Sequence, residues 1–272
     1  MKKTKREVVV LKIGGSIVTY KGGDKVRVRK TRLKEIAEEL VLALRRNPHR
    51  QLILVHGAGS AGHVLANKYN LKAGVNGDSN KIQAALRIRE NNQLLNLVIT
   101  KIFSEAGLPI VPVHSGSAII QNNGKLRYIN TELVKCALDN QCIPTLYGEM
   151  VFDQKLGMSV CSGDDIATTL AASFAASKLI YASDIDGIYD SDPYINKQAQ
   201  LIARGNLKNI NASIGNSHNV DVTGGLAHKI ELVKNAKSSL SLKELIIFNG
   251  FKKGNVIKIF DGEYEGCSVL DM

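Results

Sequence analysis

A chain of 272 residues, 44% of them hydrophobic, has apolar material for a well-buried core, yet no apolar run reaches the roughly 18–20 residues that cross a bilayer. Lysine and arginine outnumber aspartate and glutamate 36 to 25, a formal charge of +11 that by itself admits a nucleic-acid partner. Apart from a cluster at Lys21–Lys34 the excess is diffuse, and with 5% aromatic residues and no tryptophan there is little to stack bases on. Small phosphorylated ligands are therefore the expected partners, and neither nucleic acid nor membrane is.

The opening "EVVVLKI" (Glu7 to Ile13) is a β-branched run ended by Gly14-Gly15, so the basic-then-apolar start reads as a strand and not as a secretory leader. "TRLKEIAEELVLALRRN" places Leu33, Ile36, Ala37, Leu40, Val41 and Leu44 on one helix face, with Thr31 as the expected cap. "QLILVH" is the next buried strand, and a helix is expected to start at about Ser60. A long helical pattern from about Lys81 to Ala106 carries Leu86, Ile88, Leu94, Leu95, Val98, Ile102 and Phe103, and leads into the strand "IVPV". "AIIQNNGKLRYI" has Asn-Gly between apolar stretches, a hairpin signal. A short helix opens at Asn130-Thr131-Glu132, followed by the strand "CIPTLYG" and a second hairpin, "MVFDQKLGMSVC". Ser162 caps a helix whose early Asp164 and Asp165 suit its positive end. "KLIYAS" is a strand running into an acidic loop; a helix near Leu226–Leu240, the strand "ELIIF" and the segment "GCSVL" complete the chain. Strands alternating with crossover helices predict a three-layer α/β/α sandwich around a largely parallel sheet. Cys136, Cys142, Cys161 and Cys267 lack metal-ligand spacing and read as reduced thiols of a cytoplasmic protein.

Ligands of such sheets bind beyond the carboxyl ends of the strands, where the glycine-rich stretches fall. In "LKIGGS", Gly14 and Gly15 let backbone amides approach an anion, Ser16 adds a hydroxyl, and Lys12 places an ammonium nearby. In "HGAGSAGH", Gly57 and Gly59 precede a helix whose free amides and dipole converge on one point. His63 lies a turn inside and can bind a dianion, whereas His56, ending a buried strand, reads as a core residue. "SDIDGIYDSDP" lacks the twelfth-position glutamate of a calcium loop and fits a nucleotide's ribose and base better. "DVTGGLAHK" again sets glycines before a helix, with Lys229 a turn in. Each stretch alone is also an ordinary turn or cap. Several such anion sites with lysines beside them, and no paired base and nucleophile, point together to phosphoryl transfer, which needs charge neutralisation and alignment more than covalent chemistry by the protein.

The order "LKIGGS", "HGAGSAGH", "YGEMVFD", "SGDDIA", "SDIDGIYDSDP", "DVTGGLAHKI" resembles the amino acid kinase family across essentially the whole chain, and the second motif ending in histidine resembles its isopentenyl phosphate kinase subgroup. The resemblance implies an ATP- and Mg²⁺-dependent kinase acting on a small monophosphate, foremost isopentenyl phosphate, in a single domain over 1–272. An acceptor-binding lobe to about 160 and a nucleotide-binding lobe from about 161 are implied, as is a homodimer. Lys12, Gly14, Gly15 and Ser16 would hold the ATP phosphates, and Lys21 would stabilise the transition state. Gly57, Ala58 and Gly59 would offer backbone contacts, His63 would bind the acceptor phosphate, and Gly163 and Asp164 would order the acceptor site. Asp184, Asp186, Gly187 and Tyr189 would form the nucleotide pocket, with Gly225 and Lys229 near the triphosphate; no protein-held metal is expected. The helix around Ile82–Leu97 would wall the acceptor's hydrocarbon pocket, where Gln83, Arg87, Arg89, Asn91 and Asn92 are unexpectedly polar. Ala61 and Asp165 depart from the subgroup's pattern, which shows a bulky aromatic and a glutamine there, and the first departure implies a wider acceptor pocket. A fosfomycin-type phosphonate kinase, an amino-acid or carbamate kinase, and a non-catalytic anion-binding protein are the alternatives at this point.

Overall fold

The structure, a computed structural model, describes residues 6–20, 26–210, 224–236 and 241–272. At its centre lies β1 (Glu7–Ile13), whose last five residues are all buried, as expected of a strand covered on both faces. Two further strands flank it in parallel: β2 (Arg50–His56) on one side, and β9 (Lys178–Ser183) on the other. Their register aligns Ile13 with both His56 and Ala182, so the segments leaving the three strands emerge side by side.

The helices between these strands are α1 (Gly15–Val18), α2 (Lys30–Arg46), α3 (Ser60–Lys68) and α4 (Ser79–Glu105). Then come β3 (Ile110–Pro112), α5 (Ser115–Ala118), the hairpin β4 (Ile119–Asn122) and β5 (Lys125–Ile129), α6 (Thr131–Asp139) and β6 (Ile143–Tyr147). The second hairpin is β7 (Glu149–Asp153) and β8 (Gly157–Cys161), followed by α7 (Gly163–Ser173). The chain continues through β10 (Arg204–Asn206), α8 (Gly224–Ala236), β11 (Glu244–Asn249), α9 (Asn255–Asp261) and β12 (Ser268–Asp271).

The main sheet runs β10-β12-β11-β9-β1-β2-β6-β3 and is parallel apart from the β11–β12 pair. One core lies between it and α2, α4 and α9, built from residues such as Leu33, Leu40, Leu95, Phe103 and Phe260. The other lies beneath α6, α7 and α8, with Val134, Ile166, Leu170 and Val233. Helices thus cover both faces, the three-layer arrangement expected. The two hairpins leave the main sheet and form a second sheet, β5-β4-β7-β8, in which β4 and β7 run parallel; their joining was not visible in the local pattern. Among the described residues no helix is long and apolar enough to cross a membrane.

Local expectations hold with instructive exceptions. Asn130 and Ser162 do cap their helices, and the Asn123-Gly124 turn has both residues at positive φ, as a tight hairpin needs. Thr31 does not cap α2: Arg29 holds that position without a side-chain bond, and Thr31 lies inside the helix. In α4 the capping carboxylate is Asp78, while Leu86 and Leu94 face outward and Asn92 and Asn96 are buried. Those two asparagines are inside because each finds a polar partner there: Asn96 at His56 and Asn92 at Glu149.

Candidate active site

The aligned ends of β1, β2 and β9 bring the first two glycine motifs into direct contact. Gly14 N–H donates to Ala182 O at 2.8 Å, and Gly57 N–H donates to Ile13 O at 2.9 Å. A Cβ on Gly57 would stand 2.6 Å from the Gly15 amide nitrogen, and one on Gly15 would stand 2.7 Å from the Gly59 amide nitrogen. Gly59 has φ +54°, and a Cβ there would collide with Thr19 Oγ1, which accepts from the Ser60 N–H at 2.9 Å. The close neighbour that these glycines demand is therefore, first of all, the other glycine turn. One leading amide of α3 is also already bonded, so the expectation of a fully free helix terminus is corrected.

Around this junction the charged groups converge. Lys12, pointing from β1 and 7% exposed, sets its Nζ 2.7 Å from Asp164 Oδ1, and Lys229 on α8 sets its Nζ 3.4 Å from Asp164 Oδ2. Burial pushes the Asp164 carboxyl up, but the two lysines outweigh it and hold the group below the usual carboxylate range. For Lys229 the order is reversed: burial lowers it, against the pull of Asp164. His63 is lowered by burial and then by Lys12, with Asp164 working the other way. The resting centre thus holds two ammonium groups, one carboxylate and an imidazole biased to neutrality, an arrangement with positive charge in excess. Gly163 completes the packing: a Cβ on it would lie 3.2 Å from His56 O and 3.5 Å from Lys12 Cε.

Beside these groups opens a cavity of about 130 Å³. Its lining includes the polar side chains of Lys12, His63, Ser162 and Asp164 beside Gly57 and Ala58, and the apolar Ala66, Ile88, Met150 and Val160, which pack in one hydrophobic cluster. Asn92 and Glu149 also line it. Glu149 Oε1 accepts from Asn92 Nδ2 at 2.8 Å and from the Met150 N–H at 2.8 Å. Burial nevertheless pushes its carboxyl up to about 7, only partly opposed by these bonds and by Arg89. Sequence reasoning passed over Glu149 as a site residue, although it sits in the quoted "YGEMVFD"; the signal available was a carboxylate one glycine past a buried strand, at the start of the next one.

His56 is the core residue expected. Its ring stacks on Tyr147 at 5.2 Å, its Nε2 meets Asn96 Oδ1 at 3.1 Å, and burial brings its pKa down to about 4. The acidic loop after β9 lies on the other side of β1 from the cavity. Asp186 accepts from Asn249 Nδ2 at 3.0 Å and pairs with Lys252 at 2.8 Å, and Tyr189 donates its hydroxyl proton to Asp186 at 3.3 Å. Gly187 packs so tightly on Ser268 that a Cβ would lie 2.9 Å from its backbone nitrogen. Asp186, Gly187 and Tyr189 therefore form a separate wall beyond the end of β9, whereas Asp184, next to that strand, lies close enough to Lys229 to act on its charge. Gly225 lies in the first turn of α8, one turn before Lys229, and Ser16 in α1 accepts through its carbonyl from Arg29 Nε at 3.0 Å. Lys21, Asp221 and Thr223 lie outside the described residues, as does the side chain of Ala61.

A model of the amino acid kinase family matches residues 7–249. The isopentenyl phosphate kinase of Methanocaldococcus jannaschii is 30% identical over 267 residues, covering 96% of this chain and 98% of the relative. The isopentenyl phosphate kinase of Methanothermobacter thermautotrophicus is 28% identical over 263 residues, covering 94% and 96%. Among solved structures, an isopentenyl phosphate kinase superposes with a TM-score of 0.80 at 23% identity, over 94% of this chain and 96% of that one.

Proposed function

The chain belongs to the amino acid kinase family, and from that premise we propose that it transfers the γ-phosphoryl group of ATP to isopentenyl phosphate, giving isopentenyl diphosphate. The observation that carries this reading is the mixed lining of the cavity. Lys12, His63 and the Asp164 centre suit a phosphate, while Ala66, Ile88, Met150 and Val160 suit a short carbon chain.

In this reading the lobe to about residue 160 binds the acceptor and the lobe from about 161 binds the nucleotide. Gly57, Ala58 and His63 take the acceptor phosphate, and Gly163 and Asp164 order the acceptor site. Lys12, Gly14, Gly15, Ser16, Gly59, Gly225 and Lys229 take the ATP phosphates, and Asp184, Asp186, Gly187 and Tyr189 take the nucleoside. The attacking oxygen is already anionic, so the chemistry needs no general base; its obstacle is repulsion. Two like charges ~4 Å apart cost about 4 kcal/mol at an effective dielectric of 20, and Lys12, Lys21, Lys229 and His63 offset that. Among the described residues no group of three or more His, Cys, Asp or Glu side chains could hold a metal ion. In this reading Mg²⁺ would accompany the ATP phosphates and offset part of their charge. A homodimer and a cytoplasmic location complete it, the latter supported by four cysteines that carry no disulfide.

The test is turnover with ATP and a panel of isopentenyl phosphate, fosfomycin, glutamate and uridine monophosphate. Isopentenyl phosphate is expected to be phosphorylated. Turnover of glutamate or fosfomycin alone would overturn the reading. Lys21→Ala is expected to lower kcat by about 10²–10³, the loss typical of one preorganised charge-stabilising group, with an unchanged melting temperature. An unchanged kcat would remove Lys21 from the mechanism.

A further inference from the structure

Of the side chains that line the acceptor cavity, Glu149 and Asn92 each hold one buried oxygen with no hydrogen-bond partner among the described residues, Oε2 and Oδ1; the buried Asp164 Oδ1, by contrast, faces the Lys12 ammonium at 2.7 Å. Glu149 and Asn92 are essentially sealed from bulk water, at 2% and 1% exposure. The rest of each group is committed. Glu149 Oε1 takes two donors, one of them Asn92 Nδ2, which tethers α4 to β7 at this point. The pair is thus held in place by its own bond, with one oxygen of each residue left over.

Buried oxygens of this kind are costly unless a donor reaches them. An all-carbon chain has none to offer. A hydroxyl does: it can donate to either oxygen. When Glu149 is protonated, which the value of about 7 allows near neutrality, the hydroxyl can also accept from it. Ile88 and Met150, beside these groups, accommodate the carbon skeleton that would carry such a hydroxyl.

We infer that the preferred acceptor is a short branched alkyl monophosphate bearing a hydroxyl on its carbon chain, which Asn92 and Glu149 recognise together. This rests on the reading of the cavity as the site of an organic monophosphate. It makes isopentenyl phosphate an accepted substrate but not the best one.

The experiment compares kcat/KM of the full-length enzyme, with ATP, for isopentenyl phosphate, 3-methylbutyl phosphate, and the 2-, 3- and 4-hydroxy derivatives of the latter. At least one hydroxy compound is expected to exceed isopentenyl phosphate by about tenfold, the worth of one well-placed hydrogen bond in a dry site. Replacing both oxygens with apolar shapes, Asn92→Leu with Glu149→Met, is expected to reduce that ratio to about one or below. If every hydroxy compound is turned over no better than isopentenyl phosphate by the unmodified enzyme, the inference falls while the kinase reading stands. If no monophosphate is turned over at all, it is the kinase reading that falls. A hydroxyl preference that survives in the double variant overturns the assignment to these two residues. The comparison in the unmodified enzyme decides the central point even where the variant does not fold.

Discussion

His56 and His63 lie seven positions apart, and burial drives both toward the neutral imidazole, but with different consequences. His56 is locked between Tyr147, Asn96 and the Gly57 carbonyl, with no route to water. Its folded value of about 4 lies below the ordinary 6.5, so between those limits the unfolded chain binds a proton that the folded chain does not. Stability is therefore expected to fall as the pH drops from about 6.5 toward 4, by about 3 kcal/mol in all. Urea unfolding at a series of pH values checks this, and His56→Gln should flatten that limb. His63 lines the cavity, and the arrival of a phosphate dianion opposes the bias that burial and Lys12 impose. Acceptor binding near pH 7 is accordingly expected to take up protons, seen as a binding enthalpy that varies with the ionisation enthalpy of the buffer. A buffer-independent enthalpy would mean that His63 stays neutral in the complex.

At the scale of elements, the junction of the two glycine turns is where packing leaves least room. At Gly15 and Gly57 the neighbours that a new Cβ would meet are backbone atoms, which cannot rotate aside. Gly57→Ala should cost about 1–3 kcal/mol through overpacking and should also lower turnover if the displaced turns meet phosphate as proposed above. Thermal unfolding and initial rates on the same preparation test both; a variant of unchanged stability would show that the turns can separate. The glycines themselves stood out in the sequence, since a double glycine after a β-branched run has few uses. Their mutual contact did not, because 42 residues separate Gly15 from Gly57. Similarly, the apolar spacing of α4 showed a helix but misjudged which face is inward. Leu86 and Leu94 count as apolar in any periodicity, yet Asn92 and Asn96 on the same helix take the interior by pairing with Glu149 and His56.

At the scale of the molecule, that outward face has its own consequence. Leu86, Leu94 and Leu97 are 47%, 57% and 64% exposed along one side of α4. This stripe is expected to be covered in the homodimer proposed above. Sedimentation should give twice the chain mass, and Leu94→Glu with Leu97→Glu should return it to a single chain; an unmodified protein that sediments as one chain would dismiss the stripe as an interface.

Alternating strands and helices, the hairpin at Asn123-Gly124, the caps at Asn130 and Ser162, and the motif order that marks the family were all legible in the residues alone. Periodicity, turn chemistry and capping act within a few positions of the chain, so they leave a local imprint. What only the tertiary structure decided is which of the marked groups meet. Lys12 and Lys229 share Asp164, Gly15 lies on Gly57, and Asn92 holds Glu149. These contacts join residues 42 to 152 positions apart, and their partners follow from the register of β1 with its neighbours and the burial that it enforces, which no local pattern encodes.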